Sequence, residues 1–274
     1  MARGLDHVVV AVRDLDAAAK AWAELGFTVT PENRHAWGTA NRLVQLNGFF
    51  IEILTVADES LIEEAAEGEF SFGAFNRDFL KERQGASMLV AESVDPDQDR
   101  ADFQRLGLAT YAPFSFERVA NFKDGSTGKV GFDLTFLTDP LIPDLAFFTC
   151  RNRYPETFWN ADFQHHDNGA ASISAIYMVA SDPSDHHEFL GGFTGQREMR
   201  ATSLGLEIQT PRGLISVLNP EAYRHLVANT AAYEATSNLP KIAAVEVVCG
   251  GLESRKVIPA DGALGITVIL TPAV

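Results

Sequence analysis

A strand followed by an aspartate, a short helix and a glycine recurs along this chain, and this repeat constrains the fold more than any other sequence feature. It covers residues 7–27, 87–108 and 175–193. Aspartate side chains accept hydrogen bonds from the first N–H groups of a helix, and glycine adopts the left-handed conformation that ends one. The predicted helix N-caps are Asp14, Asp95 and Asp182, and the predicted terminating glycines are Gly26, Gly107 and Gly191. The chain is therefore built from repeated strand-to-helix units.

Strand-like runs, and not a second helix, follow each of these helices. In the first unit the runs are FTVTP, HAWGTANRLVQL and FFIEILTV, so that the unit has the order βαβββ. The second and third units end in similar runs, GKVGFDLTFLT with LAFFTCR and SLGLEIQT with LISVLN. A degenerate fourth unit, which lacks a helix, consists of the runs KIAAVEVVCG and GITVILTP. An α+β fold of repeated βαβββ units is the prediction.

Two connectors separate the units. Residues 58–84, which begin with an acidic run, are predicted to be helical, whereas 151–171 are polar, aromatic and aperiodic, as expected for a boundary or a binding loop. We divide the chain into residues 1–155, a loop or linker at 156–172 that is a candidate contributor to the site, and residues 173–274.

Charge and cysteine content exclude several functions. The chain has 22 Lys and Arg against 37 Asp and Glu, a net charge of −15, which disfavours nucleic-acid and membrane-surface binding. The two cysteines, Cys150 and Cys249, have no metal-site spacing, as expected of a reduced cytoplasmic protein. No apolar stretch is long enough to cross a membrane. The expected partner is a small molecule, and a homo-oligomer is left open.

His7 and Glu52 are the two polar residues that interrupt otherwise apolar strands. His7 lies in DHVVVAV, and Glu52 lies in FFIEIL among apolar and aromatic neighbours. An ionised carboxylate in such surroundings requires a cation, a metal or a proton. His7 alone is compatible with a core histidine bonded to backbone, but the pair indicates a functional site.

The segment between them adds a possible pocket wall. If residues 35–41 form a strand, then Ala36, Gly38 and Ala40 share a face that packs beneath the helix. The opposite face carries a polar and aromatic set, which we predict to bind substrate: His35, Trp37, Thr39 and Asn41. The other interpretation is a polar outer face with an incidental tryptophan.

These motifs resemble a known superfamily. The chain resembles the vicinal oxygen chelate superfamily, which includes glyoxalase I, extradiol dioxygenases and bleomycin-resistance proteins. The segments that carry this resemblance are LDHVVVAV, FFIEIL and the helix DLDAAAKAWAELGF. RHAWGTANRLVQL and PETFWNADFQHHDNGA resemble its glyoxalase-like domain proteins, and the similarity extends over about residues 4–220. The resemblance implies βαβββ units that pair into curved mixed sheets forming a cup, with helices on the outer face.

The resemblance also implies a divalent metal (Zn, Fe, Mn or Ni) held by His or Glu of the first and fourth strands. Only His7 and Glu52 match, and the corresponding places in later units are not good ligands. A third ligand could be His166, or its neighbour His165, which would give a two-histidine, one-carboxylate set. Asn168 in the same segment is a candidate substrate contact. In the alternative interpretation this segment is a turn closed by Gly169.

The leading functional prediction is an enzyme that polarises vicinal oxygens of its substrate with the metal, as a lyase, isomerase or dioxygenase. His7 and Glu52 would be both its metal ligands and its catalytic residues. Two alternatives remain open: a metal-free enzyme that uses the pair as an acid–base couple, and a non-catalytic ligand-binding protein of the bleomycin-resistance type.

Overall fold

The computed structural model of the protein describes residues 1–121, 127–228, 239–260 and 264–273. Its first unit consists of β1 (Leu5–Ala11), α1 (Leu15–Glu24), β2 (Asn33–Arg34), β3 (Thr39–Leu46) and β4 (Phe49–Val56). A 3-10 turn (Glu59–Leu61) and α2 (Phe72–Glu82) follow. The second unit consists of β5 (Gly85–Glu92), α3 (Pro96–Arg105), β6 (Ala109–Thr110), β7 (Phe114–Asn121), β8 (Thr127–Thr138) and β9 (Ala146–Asn152).

The second half of the chain repeats this order with shorter elements. After α4 (Pro155–Phe158) come β10 (Ala170–Val179), a 3-10 turn (Pro183–His186), α5 (His187–Thr194), β11 (Arg200–Thr202), β12 (Gly205–Gln209) and β13 (Leu214–Leu218). They are followed by α6 (Pro220–Tyr223), a π-helical turn (Arg224–Ala228), β14 (Lys241–Cys249), β15 (Lys256–Ile258) and β16 (Thr267–Pro272). None of the described helices is both long enough and apolar enough to span a membrane.

The sixteen strands of the described residues form one curved, open sheet, so the predicted α+β fold class is confirmed. Strand β1 runs parallel to β4 and antiparallel to β5, and β5 runs parallel to β9. The second half has the same arrangement, because β10 is parallel to β13 and antiparallel to β14, which is parallel to β16. The units thus pair two by two. The division at residues 156–172 stays a prediction.

Helix capping follows the repeat at most positions. The side chains of Asp14, Asp95 and Asp182 accept hydrogen bonds from the N–H groups of Ala17, Gln98 and Ser184. Gly26 and Gly107 have positive φ values of 84° and 74° and end the first two helices. Gly191 does not end the third, because α5 continues to Thr194 and Gly195 follows it at φ 68°. Glycines inside α5 serve packing: a Cβ at Gly192 would lie 2.8 Å from Leu108.

Two predicted strands differ from the structure, and one predicted helix is shorter than expected. FTVTP is not a strand, because Thr30 contacts Leu43 through its own N–H and hydroxyl and Pro31 has no N–H for a ladder. Residues 35–38 form a turn between β2 and β3, so the strand that we predicted over 35–41 begins only at Thr39. The helix that we predicted within residues 58–84 is present as α2, which begins after the acidic run.

The core is shared by both halves. One cluster of buried apolar side chains contains Val8 and Val10 of β1, Trp22 of α1 and Val245 of β14. The opposite face of β1 contributes Val9 to a second, smaller cluster between the first two units. Alternation along β1 therefore directs one face into the shared core and the other between units one and two.

Arg212, in the second half, holds the start of β1. Its guanidinium donates a hydrogen bond to the backbone oxygen of Leu5 at 2.9 Å and forms an ion pair with Glu92 at 2.9 Å. The N–H of Leu5 donates to the backbone oxygen of Arg212 at 3.1 Å, and that of Gly4 donates to Glu92 at 3.0 Å.

Candidate functional site

A pocket lies between the strands of the first and second units. It contains about 620 Å³ of empty space, including its mouth. Aromatic rings form most of its wall, and they come from both units, from α2 and from α4: Trp37, Phe50, Phe72, Phe114, Phe116, Phe132, Phe148 and Phe158. Six polar side chains that matter for its chemistry line it too: His7, Asn33, His35, Asn41, Glu52 and Arg118. Apolar walls with a few convergent polar groups are typical of small-molecule sites.

His7 is held by a carboxylate behind it and faces a second one. Its Nδ1 lies 2.5 Å from Oδ1 of Asp6, and its Nε2 lies 3.7 Å from Oε2 of Glu52. Because an ionised carboxylate only accepts, the Nδ1–H donates to Asp6, which fixes the tautomer and leaves Nε2 toward Glu52. The ring is 3% exposed and stacks on Phe50 at 4.2 Å between centroids.

Asp6 reaches the histidine because β1 is irregular at this point. Leu5 pairs with Ala91 and His7 pairs with Val90, so Asp6 is an extra residue in the ladder with β5. Such a bulge changes the direction of neighbouring side chains and is frequent beside active sites. Simple alternation would have placed Asp6 and His7 on opposite faces.

Glu52 is fixed by a chain of polar side chains. Nδ2 of Asn41 donates to Oε1 of Glu52 at 2.6 Å and lies 3.4 Å from Nε2 of His35. Because the amide nitrogen only donates, Nε2 of His35 is the acceptor and Nδ1 donates to the hydroxyl of Thr39 at 2.7 Å. The second carboxylate oxygen of Glu52 is the one directed to His7.

Burial controls the charge states around the pocket. Burial lowers the pKa of His35, with Glu52 opposing this shift and Arg118 adding to it. The pKa of the Cys150 thiol is raised well above its ordinary value by burial and by the nearby carboxylates Asp6 and Glu52. Cys150 is therefore expected to stay a neutral thiol.

Five of the sequence-predicted site residues line this pocket together: His7, His35, Trp37, Asn41 and Glu52. Thr39 lies behind them and orients His35.

His166 and Asn168 are not among the lining residues. Nδ1 of His166 accepts from the N–H of Thr28 at 2.9 Å, and Nε2 donates to the backbone oxygen of Gln45 at 2.8 Å. The side chain of Asn168 bonds the backbone of Leu25 and Ala170. Both residues thus fasten their loop to the first unit.

Three polar residues of the site were absent from the sequence prediction: Asp6, which lies behind the pocket, and Asn33 and Arg118, which line it. Asp6 had no sequence signal, because its role depends on the bulge. Arg118 had one, because Phe114, Phe116 and Arg118 alternate with the exposed residues Ser115 and Glu117 in β7 and so share a face.

The donor set does not fit a metal centre with three protein ligands. Among the described residues there is no group of three His, Cys, Asp or Glu side chains suited to hold a metal. Met88 precedes its helix N-cap by as many residues as His7 does, and Phe148 pairs with Val90 as Glu52 pairs with Val9. The second unit thus has apolar side chains where the first has His7 and Glu52. Catalytic metal sites usually have three protein ligands.

Comparison with known proteins identifies the family. Residues 5–193 match the family model of the glyoxalase-like domain, and the chain belongs to this family. The resemblance noted from the sequence is thereby confirmed. No curated protein matches the chain significantly.

Two solved structures show the same fold. A hypothetical protein from Staphylococcus aureus matches with a TM-score of 0.76 and 14% identity over 99% of this chain and 100% of that one. A fusion protein of a xylose isomerase-like TIM barrel and 4-hydroxyphenylpyruvate dioxygenase matches with a TM-score of 0.52 and 9% identity, over 91% of this chain and 37% of that one. Methylmalonyl-CoA epimerase from Mycobacterium tuberculosis matches with a TM-score of 0.38 and 21% identity, over 54% of this chain and 87% of that one.

Proposed function

We propose that the protein is a metal-independent enzyme that binds a small carbonyl compound with an apolar body and moves a proton at a carbon next to its carbonyl group. The observation that carries this proposal is the Asp6, His7 and Glu52 arrangement in an aromatic pocket. Membership of the glyoxalase-like family supports a small-molecule role but specifies no reaction. A cytoplasmic location stays a prediction.

Nε2 of His7 is the proposed general base. In the neutral ring with its proton on Nδ1, the lone pair of Nε2 is free to accept a substrate proton, and Asp6 stabilises the imidazolium that forms. At 3.7 Å, Nε2 and the Glu52 oxygen are too far apart for a direct hydrogen bond. Two acceptors thus face the same space, and a donor or an acidic C–H group complements both.

Glu52 and the aromatic wall complete the proposed mechanism. After Nε2 of His7 takes the proton, the carboxylate of Glu52 stabilises the imidazolium from the Nε2 side of the ring, whereas Asp6 bonds Nδ1. The aromatic side chains exclude water, which strengthens these interactions. The proton returns from Nε2 to the same carbon or to an adjacent atom, so the net reaction is an isomerisation or an exchange with solvent protons.

Hydrogen exchange in heavy water tests the proposal. A panel of aryl-substituted ketones is incubated with the protein, and loss of the C–H signal beside the carbonyl is followed by proton NMR. We expect His7→Asn to slow exchange by about 100-fold or more, the usual contribution of a general base. The exposed His165→Ala is the matched control and is expected to leave the rate unchanged.

Three outcomes contradict the proposal. If His7→Asn exchanges as fast as wild type, His7 is not the base. If the purified protein holds a stoichiometric divalent metal that His7→Asn removes, the metal-dependent prediction replaces this one. Tight binding of the ketones without exchange contradicts the proposal too and favours the second candidate, a non-catalytic ligand-binding protein, for which the aromatic wall is also suited.

A further inference from the structure

We propose that Arg118 and Asn33 form an anion subsite, so that the pocket selects a small monocarboxylic acid with an apolar body. This inference deepens the proposed function by naming its substrate class. It starts from β7, in which Phe114, Phe116 and Arg118 line the pocket and the intervening side chains are exposed. The guanidinium is thus presented on the same wall as the aromatic rings.

Arg118 has no counter-ion in the part of the chain that the structure describes. No described carboxylate lies within 4.0 Å of its nitrogens, and Glu52 belongs to the other polar cluster of the pocket. Its side chain is half-buried, and burial lowers its pKa. A guanidinium withdrawn from water without a partner is costly, and a bound anion relieves that cost.

Asn33 makes the subsite a set of donors. Nη2 of Arg118 donates to Oδ1 of Asn33 at 3.0 Å, which uses the acceptor end of that amide. The amide nitrogen of Asn33 and the other guanidinium nitrogens have no acceptor among the described residues. A cluster that offers only N–H groups binds an acceptor, and the planar guanidinium matches a planar carboxylate.

The charges favour a monoanion over a phosphate ester. One guanidinium and one neutral amide compensate a single negative charge, and the net charge of the chain is −15. The Nε2 atom of His7 and the Oε2 atom of Glu52 are, in contrast, acceptors. The pocket therefore complements a molecule with a carboxylate at one position, an apolar body and a proton-donating carbon elsewhere.

Paired ligands of the same shape test this inference. Affinities of 3-phenylpropionate and its neutral amide, 3-phenylpropanamide, are measured by calorimetry for the wild-type protein and for Arg118→Gln. We expect the wild type to prefer the acid by roughly 10-fold or more, as for hydrogen bonds to a charged group. Arg118→Gln is expected to remove this preference and to retain the amide affinity, which shows that the pocket is intact. Arg118→Lys is expected to restore part of the preference.

Arg34→Gln is the matched control. Arg34 lies beside Asn33 in β2, but it is exposed and pairs with Glu32. We expect this variant to keep the full preference. Equal affinities in the wild type, a preference that survives Arg118→Gln, or no binding of the acid below about 10 mM would overturn the inference.

The binding test of the anion subsite and the exchange test of the proposed function can fail independently. Both measurements are of binding, so the preference for the acid should persist in His7→Asn. If the wild-type protein exchanges the ketone proton rapidly but shows no preference for the acid over the amide, only the anion subsite is contradicted. A preference that persists with no exchange in any ketone contradicts the proton transfer alone.

Discussion

The His166→Ala variant tests whether the loop at residues 156–172 stabilises the fold or contributes a ligand to the site. His166 is 5% exposed, and both ring nitrogens bond backbone groups of the first unit. Its ring also contacts Phe27, with 5.6 Å between centroids. The residue is therefore expected to stabilise the fold without binding a ligand.

The expected loss follows from the groups that would be left unpaired. Removing the ring leaves the N–H of Thr28 and the C=O of Gln45 without these partners, and each unsatisfied buried group costs about 1–3 kcal/mol. Loss of the packing against Phe27 adds to this cost. We expect the free energy of unfolding to fall by about 3–5 kcal/mol.

Urea unfolding followed by tryptophan fluorescence measures this loss at about pH 8, where the histidine is neutral. His165→Ala is the control, because its side chain is exposed and only its backbone oxygen bonds Thr28. We expect less than about 0.5 kcal/mol there. A loss below about 1 kcal/mol for His166→Ala, or a bound metal that this variant releases, would refute the reasoning.

Three further predictions concern the pocket and the buried histidines. Gly38→Ala is expected to lower the free energy of unfolding by more than about 2 kcal/mol, because φ is +84° and the new Cβ would collide with the backbone oxygen of Asp58. The control is Gly68→Ala, at φ +77° in open space, which is expected to lower it by about 1 kcal/mol. Cys150 is expected to be unreactive to a thiol reagent until urea unfolds the protein, and reaction of the native thiol would contradict its raised pKa. Burial lowers the pKa of three histidines below 6.5: His35, His166 and His186. Because the unfolded chain then binds more protons, stability is expected to fall as the pH drops below about 6.5, by up to about 1.4 kcal/mol per pH unit for each; a flat urea midpoint between about pH 7 and 5 would contradict this.

Much of the fold was predictable, because local signals agree with tertiary structure in the repeats. Asp14 and Asp95 cap helices by contacts within a few residues, and the long apolar strands have only one way to bury their side chains. The prediction for Gly191 was wrong, since a glycine inside a helix has the same sequence appearance as a terminating one, and Gly195 ends the helix instead. The short β2 and the turn before Thr39 depend on pairing with partners that sequence alone does not show.

The candidate site was predictable in part. His7 and Glu52 are detectable because each interrupts an apolar strand. Asp6 depends on a bulge in the ladder with β5, which no local pattern reveals. Arg118 lies in β7, a strand of the second unit, and its place opposite His35 and Asn33 results from the pairing of units. His166 looked like a ligand because the sequence shows a polar histidine but not the backbone groups that it bonds.

The contact between Arg212 and the beginning of β1 bears on which part of the chain can be produced alone. The family match ends at residue 193, and a fragment cut there would lack Arg212 and the strands β13 and β14 that flank β10. Leu5 would lose its two hydrogen bonds to Arg212 only two residues before His7. We therefore expect that a segment that keeps the histidine in position extends beyond residue 193, where the family match ends, and fragment designs should retain the C-terminal strands.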